Sequence, residues 1–164
     1  MTPFYWVLLF IVVQRLAELA LAARNARLLK AEGGVEAGAR HYPLFVLLHA
    51  SWLVALAVLV PADAAIRWHW FAVFVLLQLA RVWVILSLGR YWTTRVITVP
   101  GRPLVRRGPY RFVRHPNYLV VVLEVAVVPL MVNAWEIALG FSILNLILLR
   151  HRIAVEDAAL ADRR

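Results

Sequence analysis

The chain has 164 residues, of which 63% are hydrophobic, with a mean hydropathy of +0.77 and a formal net charge of +9. This apolar share exceeds that of soluble globular domains, so much of the chain requires a lipid environment. The absence of cysteine excludes disulfides, thiolate metal ligands and cysteine nucleophiles, and we predict no metal site. We treat residues 1–164 as a single membrane-embedded domain.

Five apolar segments are predicted to be membrane helices, which makes the chain an all-α integral membrane protein. In chain order they are residues 4–21, 44–60, 68–88, 118–132 and 135–149. The first three have about the ~20 residues that cross a hydrocarbon core ~30 Å thick. The last two are shorter and are separated only by Asn133 and Ala134, so they are predicted to form a tight helical hairpin. Four spans are the alternative.

The basic residues are distributed unevenly between the loops. Of the 18 Lys and Arg residues, four lie between the first two segments, seven between the third and fourth, and four after the fifth. All three regions fall on one side of a five-span arrangement, so the positive-inside rule places the N-terminus outside and the C-terminus in the cytoplasm. The positive charge then reflects orientation and attraction to anionic lipid, and no nucleic-acid partner is predicted.

The first loop, residues 31–39, contains three glycines and is predicted to be exposed.

The first segment carries Gln14, Arg15 and Glu18 at helical spacings of three and four residues. These side chains can therefore share one face of the helix. Two interpretations are open: a structural pair between Arg15 and Glu18, or a polar face that lines a cavity beside a cofactor.

The third and fourth segments also contain charged side chains. Arg81 lies near the middle of the third segment and is expected to pair with Glu18 or Glu124. Glu124 lies six residues beyond Tyr118 in an otherwise apolar run, so its carboxylate must be paired or neutral. It is either part of a substrate or cofactor pocket or a structural partner of Arg81.

Two further polar side chains lie within predicted membrane helices. His49 and Asn145 are in the second and fifth segments. We interpret both as hydrogen-bonded packing residues rather than ligands.

A dense polar block precedes the fourth segment. Residues 107–118 are rich in Arg, His and Tyr and run directly into the apolar run that follows. Polar groups at the mouth of a membrane helix are costly to keep there, so such a block indicates a functional site.

Two blocks together carry a family resemblance. Gly-Pro-Tyr-Arg at residues 108–111 and Arg-His-Pro-Asn-Tyr at 114–118 precede the hairpin, and Arg-Ile-Ala-Val-Glu-Asp-Ala-Ala-Leu at 152–160 follows it. This arrangement resembles the isoprenylcysteine carboxyl methyltransferase family and its phospholipid methyltransferase relatives. Asn117 occupies a position that is often apolar in the family, and Asp157 replaces the second Glu of the tail block. Residues 86–160 carry the resemblance, including a lead-in at 88–94 that is similar to small bacterial members.

The resemblance implies S-adenosylmethionine as the methyl donor. Arg and His suit its carboxylate, Glu156 suits its ribose hydroxyls or its ammonium group, and Tyr118 offers an amphipathic ring. The cofactor-binding candidates are Tyr110, Arg111, His115, Pro116, Tyr118, Arg152, Glu156 and Asp157. The catalytic candidates are Arg114 and Glu124.

The acceptor implied by the resemblance is a hydrophobic, membrane-partitioned molecule. A prenylated cysteine carboxylate, a phospholipid amine, and an alkyl-pyrone or phenolic hydroxyl are the alternatives, and the small bacterial members favour the last. An anionic acceptor needs positioning and desolvation more than a strong base. The expected location is a bacterial inner membrane, with the active site on the cytoplasmic side.

Two other functions compete with methyl transfer. Sterol-type membrane reductases contain a similar Arg-His-Pro-x-Tyr block and bind NADPH, although they are usually longer. A small lipid-binding scaffold without enzymatic activity is the third alternative. Binding of NADPH or of S-adenosylmethionine distinguishes these functions.

Overall fold

A computed structural model of the protein describes residues 2–161, which form five α-helices and one small pair of strands. The helices are α1 (Pro3–Ala31), α2 (Tyr42–Leu59), α3 (Trp68–Leu88), α4 (Pro116–Leu130) and α5 (Trp135–Ala159). The strands β1 (Val35–Ala37) and β2 (Val96–Thr98) pair antiparallel. Five helices form where the sequence predicts them, whereas the strand pair was not predicted. Three-residue strands are too short to show a recognisable alternation, and β1 lies inside the loop at residues 31–39 that was predicted to be exposed.

Four helices are long and apolar enough to span a membrane, namely α1, α2, α3 and α5. Their outward faces carry large hydrophobic side chains, among them Leu47 at 66% and Leu86 at 70% exposure, as expected where lipid is the solvent. At 15 residues, α4 is about 22 Å long and shorter than the hydrocarbon core. The prediction that both hairpin helices are short is wrong for α5, which has 25 residues and continues past residue 149 because no helix-breaking residue intervenes.

The helices alternate in direction, so the bundle has two distinct ends. At the Asn133 end, where α1 starts and α2 stops, Tyr5 Oη donates to the carbonyl of Val60 at 3.3 Å. At the opposite end, here called the motif end, Asn25 Nδ2 of α1 donates to the carbonyl of Trp92 at 2.8 Å. The main hydrophobic core occupies the Asn133 half and includes Phe4, Ile11, Trp52, Leu56, Phe74, Val128 and Met131. The motif half is therefore left for polar groups.

The turn between α4 and α5 confirms the predicted hairpin. Asn133 adopts a left-handed φ of 60°, a conformation that asparagine tolerates better than most residues. The N–H of Ala134 donates to the carbonyl of Pro129 at 3.0 Å, and the N–H of Arg67 donates to that of Met131 at 2.8 Å. The second of these bonds joins the turn to the start of α3.

Candidate active site

The two sequence blocks meet in space at the motif end. Tyr118 lies in the first turn of α4, while Arg152 and Glu156 lie one turn apart in the last part of α5. The Tyr118 hydroxyl donates to the carboxylate of Glu156 and accepts a hydrogen bond from Arg152 Nε at 2.9 Å. One phenol oxygen therefore joins a carboxylate and a guanidinium.

His115 precedes α4 and lies between two carboxylates. Its Nε2 is 3.2 Å from Asp157 Oδ1 and its Nδ1 is 3.7 Å from Glu156 Oε1. The ring stacks on that of Tyr118, with 5.4 Å between the ring centroids. The carboxylate of Glu156 and then that of Asp157 raise the pKa of His115 above its ordinary value, against the opposing effect of burial. These carboxylates favour the imidazolium form.

Arg152 is held in place from several sides. Its side chain is buried, and its Nη2 donates to the carbonyl of Thr94 at 2.8 Å. Its Cζ lies 5.2 Å from the ring centroid of Phe45 in α2, within the range of a cation–π interaction. We call the set that these contacts connect the motif cluster: His115, Tyr118, Arg152, Glu156 and Asp157.

Tyr110 and Pro116 lie next to the motif cluster. Tyr110 packs against the small hydrophobic cluster that contains Trp92. Burial raises the pKa of Tyr110, and the negative charge of Glu156 raises it further. Pro116 is buried at the first position of α4, where its missing N–H costs no helical hydrogen bond.

Gly108 positions the first block against α3. Its φ of +56° is a left-handed value that favours glycine. A Cβ at this position would lie 2.1 Å from Ser87 Oγ and 3.1 Å from Trp83 Nε1. The close approach therefore requires glycine, as expected from the motif.

Arg111 and Arg114 do not join the motif cluster. Both side chains are exposed, and neither makes a hydrogen bond or an ion pair with any residue in the range 2–161. Their assignments as donor-binding and catalytic residues stay predictions.

Glu124 belongs to a second polar group, here called the buried charge network. It is 1% exposed and accepts hydrogen bonds from Arg15, Arg81 and, at 2.8 Å, Gln78. Glu18 pairs with Arg15 at 2.6 Å and with Arg81 at 3.3 Å. The pairing of Arg15 with Glu18, one of the two interpretations of this helix face, is confirmed, and Arg81 pairs with both carboxylates that were proposed for it.

A cavity of about 320 Å³ extends into the bundle from Tyr118 and Arg152, whereas His115, Glu156 and Asp157 of the motif cluster do not line it. At the motif end it is lined by Tyr42, Thr94, Tyr118 and Arg152. Farther inside it is lined by Arg15, Glu18, His49, Arg81 and Asn145. Glu124 is not among the lining residues and lies behind Arg15 and Arg81. The volume is within the range of small-molecule sites.

One wall of the cavity opens sideways between α1 and α2. Leu16 and Leu19 of α1 line it and are 62% and 41% exposed, and Val46 of α2 is 46% exposed. The cavity can therefore be reached from the lipid-facing surface of the bundle.

Some residues of the site were not identified from the sequence. Tyr42 and Phe45 lie in α2, where the family resemblance was limited to hydropathy, so no sequence signal marked them. Thr94 belongs to the lead-in segment but contributes its backbone carbonyl, which a sequence motif does not reveal. Asn117, the departure from the family pattern, accepts a hydrogen bond from Trp92 Nε1 at 3.4 Å.

Comparison with known proteins identifies related chains. The model of the isoprenylcysteine carboxyl methyltransferase (ICMT) family matches residues 70–162, more than half of the chain. The uncharacterized protein YpbQ of Bacillus subtilis is 40% identical over 163 residues, which cover 96% of this chain and 97% of that protein. An uncharacterized protein of Haemophilus influenzae is 24% identical and covers 92% and 91% of the two chains. No solved structure matches the chain.

Proposed function

The chain belongs to the isoprenylcysteine carboxyl methyltransferase family, and on that premise we propose that it transfers a methyl group from S-adenosylmethionine to an oxygen of a hydrophobic acceptor. The contact of Tyr118 with Glu156 and Arg152 carries this proposal, because it unites both sequence blocks at the mouth of the cavity. Residues 1–164 act as one catalytic domain in this proposal.

The polar groups of the motif cluster fit the chemical groups of S-adenosylmethionine. Arg152 offers a charged N–H donor at Nη1 to its carboxylate, and His115, whose two ring nitrogens face Asp157 and Glu156, adds positive charge beside it. Glu156 and Asp157 offer acceptors to its ammonium and ribose hydroxyls, and Tyr118 offers a ring face. When bound, the molecule supplies an electrophilic methyl group on a positively charged sulfur.

Three predicted residues have less direct roles in this proposal. Arg111 and Arg114 remain donor-binding and catalytic candidates, because the donor carboxylate would supply the charge partner that they lack among residues 2–161. Glu124 acts behind the cavity wall, where it holds Arg15 and Arg81 in position.

The acceptor reaches the site from the bilayer. The opening between α1 and α2 is lined by exposed Leu16, Leu19 and Val46, which suit an alkyl or prenyl chain. The reacting group is a carboxylate or an acidic hydroxyl, as in an isoprenylcysteine-like molecule or an alkyl-pyrone or phenolic lipid. Its oxygen is held away from bulk water beside the motif cluster, where positioning and desolvation lower the barrier.

The active site faces the cytoplasm of a bacterial cell in this proposal. The loops and the tail at the motif end carry most of the Lys and Arg residues, and the positive-inside rule assigns such an end to the cytoplasm. The N-terminus then lies outside and the C-terminus inside the inner membrane. The relatives in two bacteria support a bacterial source.

Isothermal titration of the detergent-purified protein with S-adenosylhomocysteine tests the proposal, with NADPH as the comparison ligand. We expect saturable binding of S-adenosylhomocysteine and no binding of NADPH. Binding of NADPH alone would favour a sterol-type reductase. Binding of neither ligand would favour a lipid-binding scaffold.

A further inference from the structure

His49 lies in α2. One of its ring nitrogens is hydrogen-bonded to the backbone, and the other has no hydrogen-bond partner among residues 2–161. Its Nδ1 lies 2.8 Å from the carbonyl oxygen of Phe45. A carbonyl only accepts hydrogen bonds, so Nδ1 carries the proton and, in the neutral ring, Nε2 has a free lone pair. No residue in the range 2–161 makes a hydrogen bond to Nε2. A packing histidine would have both nitrogens satisfied or shielded, whereas this ring lines the cavity.

The helix geometry places His49 directly inward of the motif cluster. The ring of Phe45 contacts Arg152, and both Phe45 and His49 line the cavity. The two residues are four apart on α2, so His49 lies one turn, or about 6 Å, farther into the bundle. The imidazole therefore borders the part of the cavity next to the donor-binding groups.

Asn145 borders the same inner region from α5. Its side chain is 1% exposed, and neither Oδ1 nor Nδ2 has a hydrogen-bond partner among residues 2–161. A buried amide without partners is unfavourable, and Asn145 lines the cavity, so it can bind the polar atoms of a ligand. Arg81 lines the cavity too, and its Nε is likewise buried without a partner in the described chain.

Charged groups surround His49 from three helices. Arg15 of α1, Arg81 of α3 and Glu124 of α4 are the charges that act on its ring. Both arginines are neutralised by Glu124 and Glu18. The imidazole is therefore the group in this region that can accept a proton without breaking an ion pair.

We propose that His49 is the general base of the reaction and that Asn145 orients an acceptor whose hydroxyl still carries its proton. This inference rests on the proposed methyltransferase function with a hydroxyl acceptor. A carboxylate acceptor is already anionic at neutral pH and needs no base. A phenol or an enol has a proton to lose, and a neutral imidazole inside the cavity accounts for its removal.

The acceptor hydroxyl gives its proton to His49 Nε2, and its oxygen forms a bond to the donor methyl carbon. The carbon–sulfur bond breaks, and its electron pair stays on sulfur, so a sulfonium becomes a neutral thioether. The imidazolium then releases its proton to water.

Two acceptors of different acidity test the role of His49. The probes are para-dodecylphenol, whose hydroxyl is un-ionised at about pH 8, and its ortho-nitro derivative, which is already largely ionised there. We expect His49→Gln to lower kcat for the phenol by about 100-fold, the usual scale of general-base catalysis, and to change kcat for the nitrophenol by less than about threefold. His69→Gln, in the first turn of α3 at the other end of the bundle, is the matched control and leaves both rates unchanged.

Several outcomes would overturn the inference. Equal loss of both rates in His49→Gln, or no loss of either, excludes a base at this position. Methylation by the wild-type protein of an S-farnesyl N-acetylcysteine carboxylate but of neither phenol excludes the acceptor class.

Asn145→Leu tests the orienting role, because we expect it to raise KM for both phenols by about tenfold. An unchanged KM removes Asn145 from the proposal.

Binding of S-adenosylhomocysteine separates this inference from the proposed function. Suppose that S-adenosylhomocysteine binds saturably to both the wild-type protein and His49→Gln, and that the substitution does not selectively lower the rate with the phenol. This result would overturn the role of His49 as general base and leave the methyltransferase proposal intact. No binding to the wild-type protein would overturn the methyltransferase proposal itself.

Discussion

The hydroxyl of Tyr118 donates a hydrogen bond to the carboxylate of Glu156, a residue 38 positions farther along the chain. This contact joins the start of α4 to the end of α5 at the open end of the hairpin, opposite the Asn133 turn. The hairpin turn at Asn133 fixes the register of the two helices, and the contact then places Arg152 within 2.9 Å of the same oxygen. The relative positions of the groups that are proposed to bind the methyl donor thus depend on one turn at the opposite end of the molecule.

Glu156→Gln is expected to weaken S-adenosylhomocysteine binding by about tenfold, because a neutral amide replaces the charged acceptor. Titration calorimetry of the purified variant measures the change. Glu136→Gln is the matched control, since Glu136 is exposed in the first turn of α5, far from the motif cluster. Equal affinities for Glu156→Gln and the wild-type protein would contradict the assignment of Glu156.

His115 is expected to make stability depend on pH. Its pKa is raised in the folded protein by Glu156 and Asp157, so the folded state binds the proton more tightly than the unfolded chain. The resulting stabilisation is fully present below the unfolded pKa of about 6.5 and is lost as the pH rises through the higher folded pKa. Thermal unfolding of wild-type protein and His115→Gln across this interval measures it.

The expected difference between the two proteins is largest at acidic pH and disappears at alkaline pH. His69→Gln serves as the control, because His69 lies at the start of α3, in the Asn133 half. A constant difference in Tm at every pH would show that His115 stabilises the fold without titrating.

Glu124→Gln is expected to lower the free energy of unfolding by about 3 kcal/mol, because it leaves Arg15 and Arg81 without their shared carboxylate in a buried site. Thermal and denaturant unfolding in detergent measure the change. The affinity of the folded fraction for S-adenosylhomocysteine is expected to stay normal, since Glu124 bonds to Arg15, Arg81 and Gln78 and not to the motif cluster. Full stability together with lost turnover would instead place Glu124 among the catalytic groups.

Gly108→Ala is expected to disrupt the motif end, whereas Gly101→Ala is expected to have a smaller effect. Both glycines have left-handed φ values, +56° and +73°. A Cβ at Gly108 meets Ser87 Oγ at 2.1 Å, but a Cβ at Gly101 has no atom within 4 Å. The comparison therefore isolates the steric clash from the backbone strain, which both variants share. Equal losses of Tm and of donor affinity would show that strain alone accounts for the effect.

Much of the architecture followed from the sequence alone. Helix number and hairpin formation depend on runs of apolar residues and on Asn133, which are local properties of the chain. The family followed from two sequence blocks, whose residues are specific enough to be recognised without coordinates. The pairing of Arg15 with Glu18 also followed, because helical spacing of three residues brings them together.

Only the tertiary structure decided which polar residues share a site. It separated Arg114, which is exposed, from His115, its neighbour in the chain, and it assigned Glu124 to a buried ion-pair network rather than to the cavity wall. It also showed that His49 and Asn145 line one cavity, whereas the sequence indicated them only as packing residues. The physical reason is that sequence spacing determines the face of a helix, whereas the relative rotation and depth of packed helices determine what that face meets.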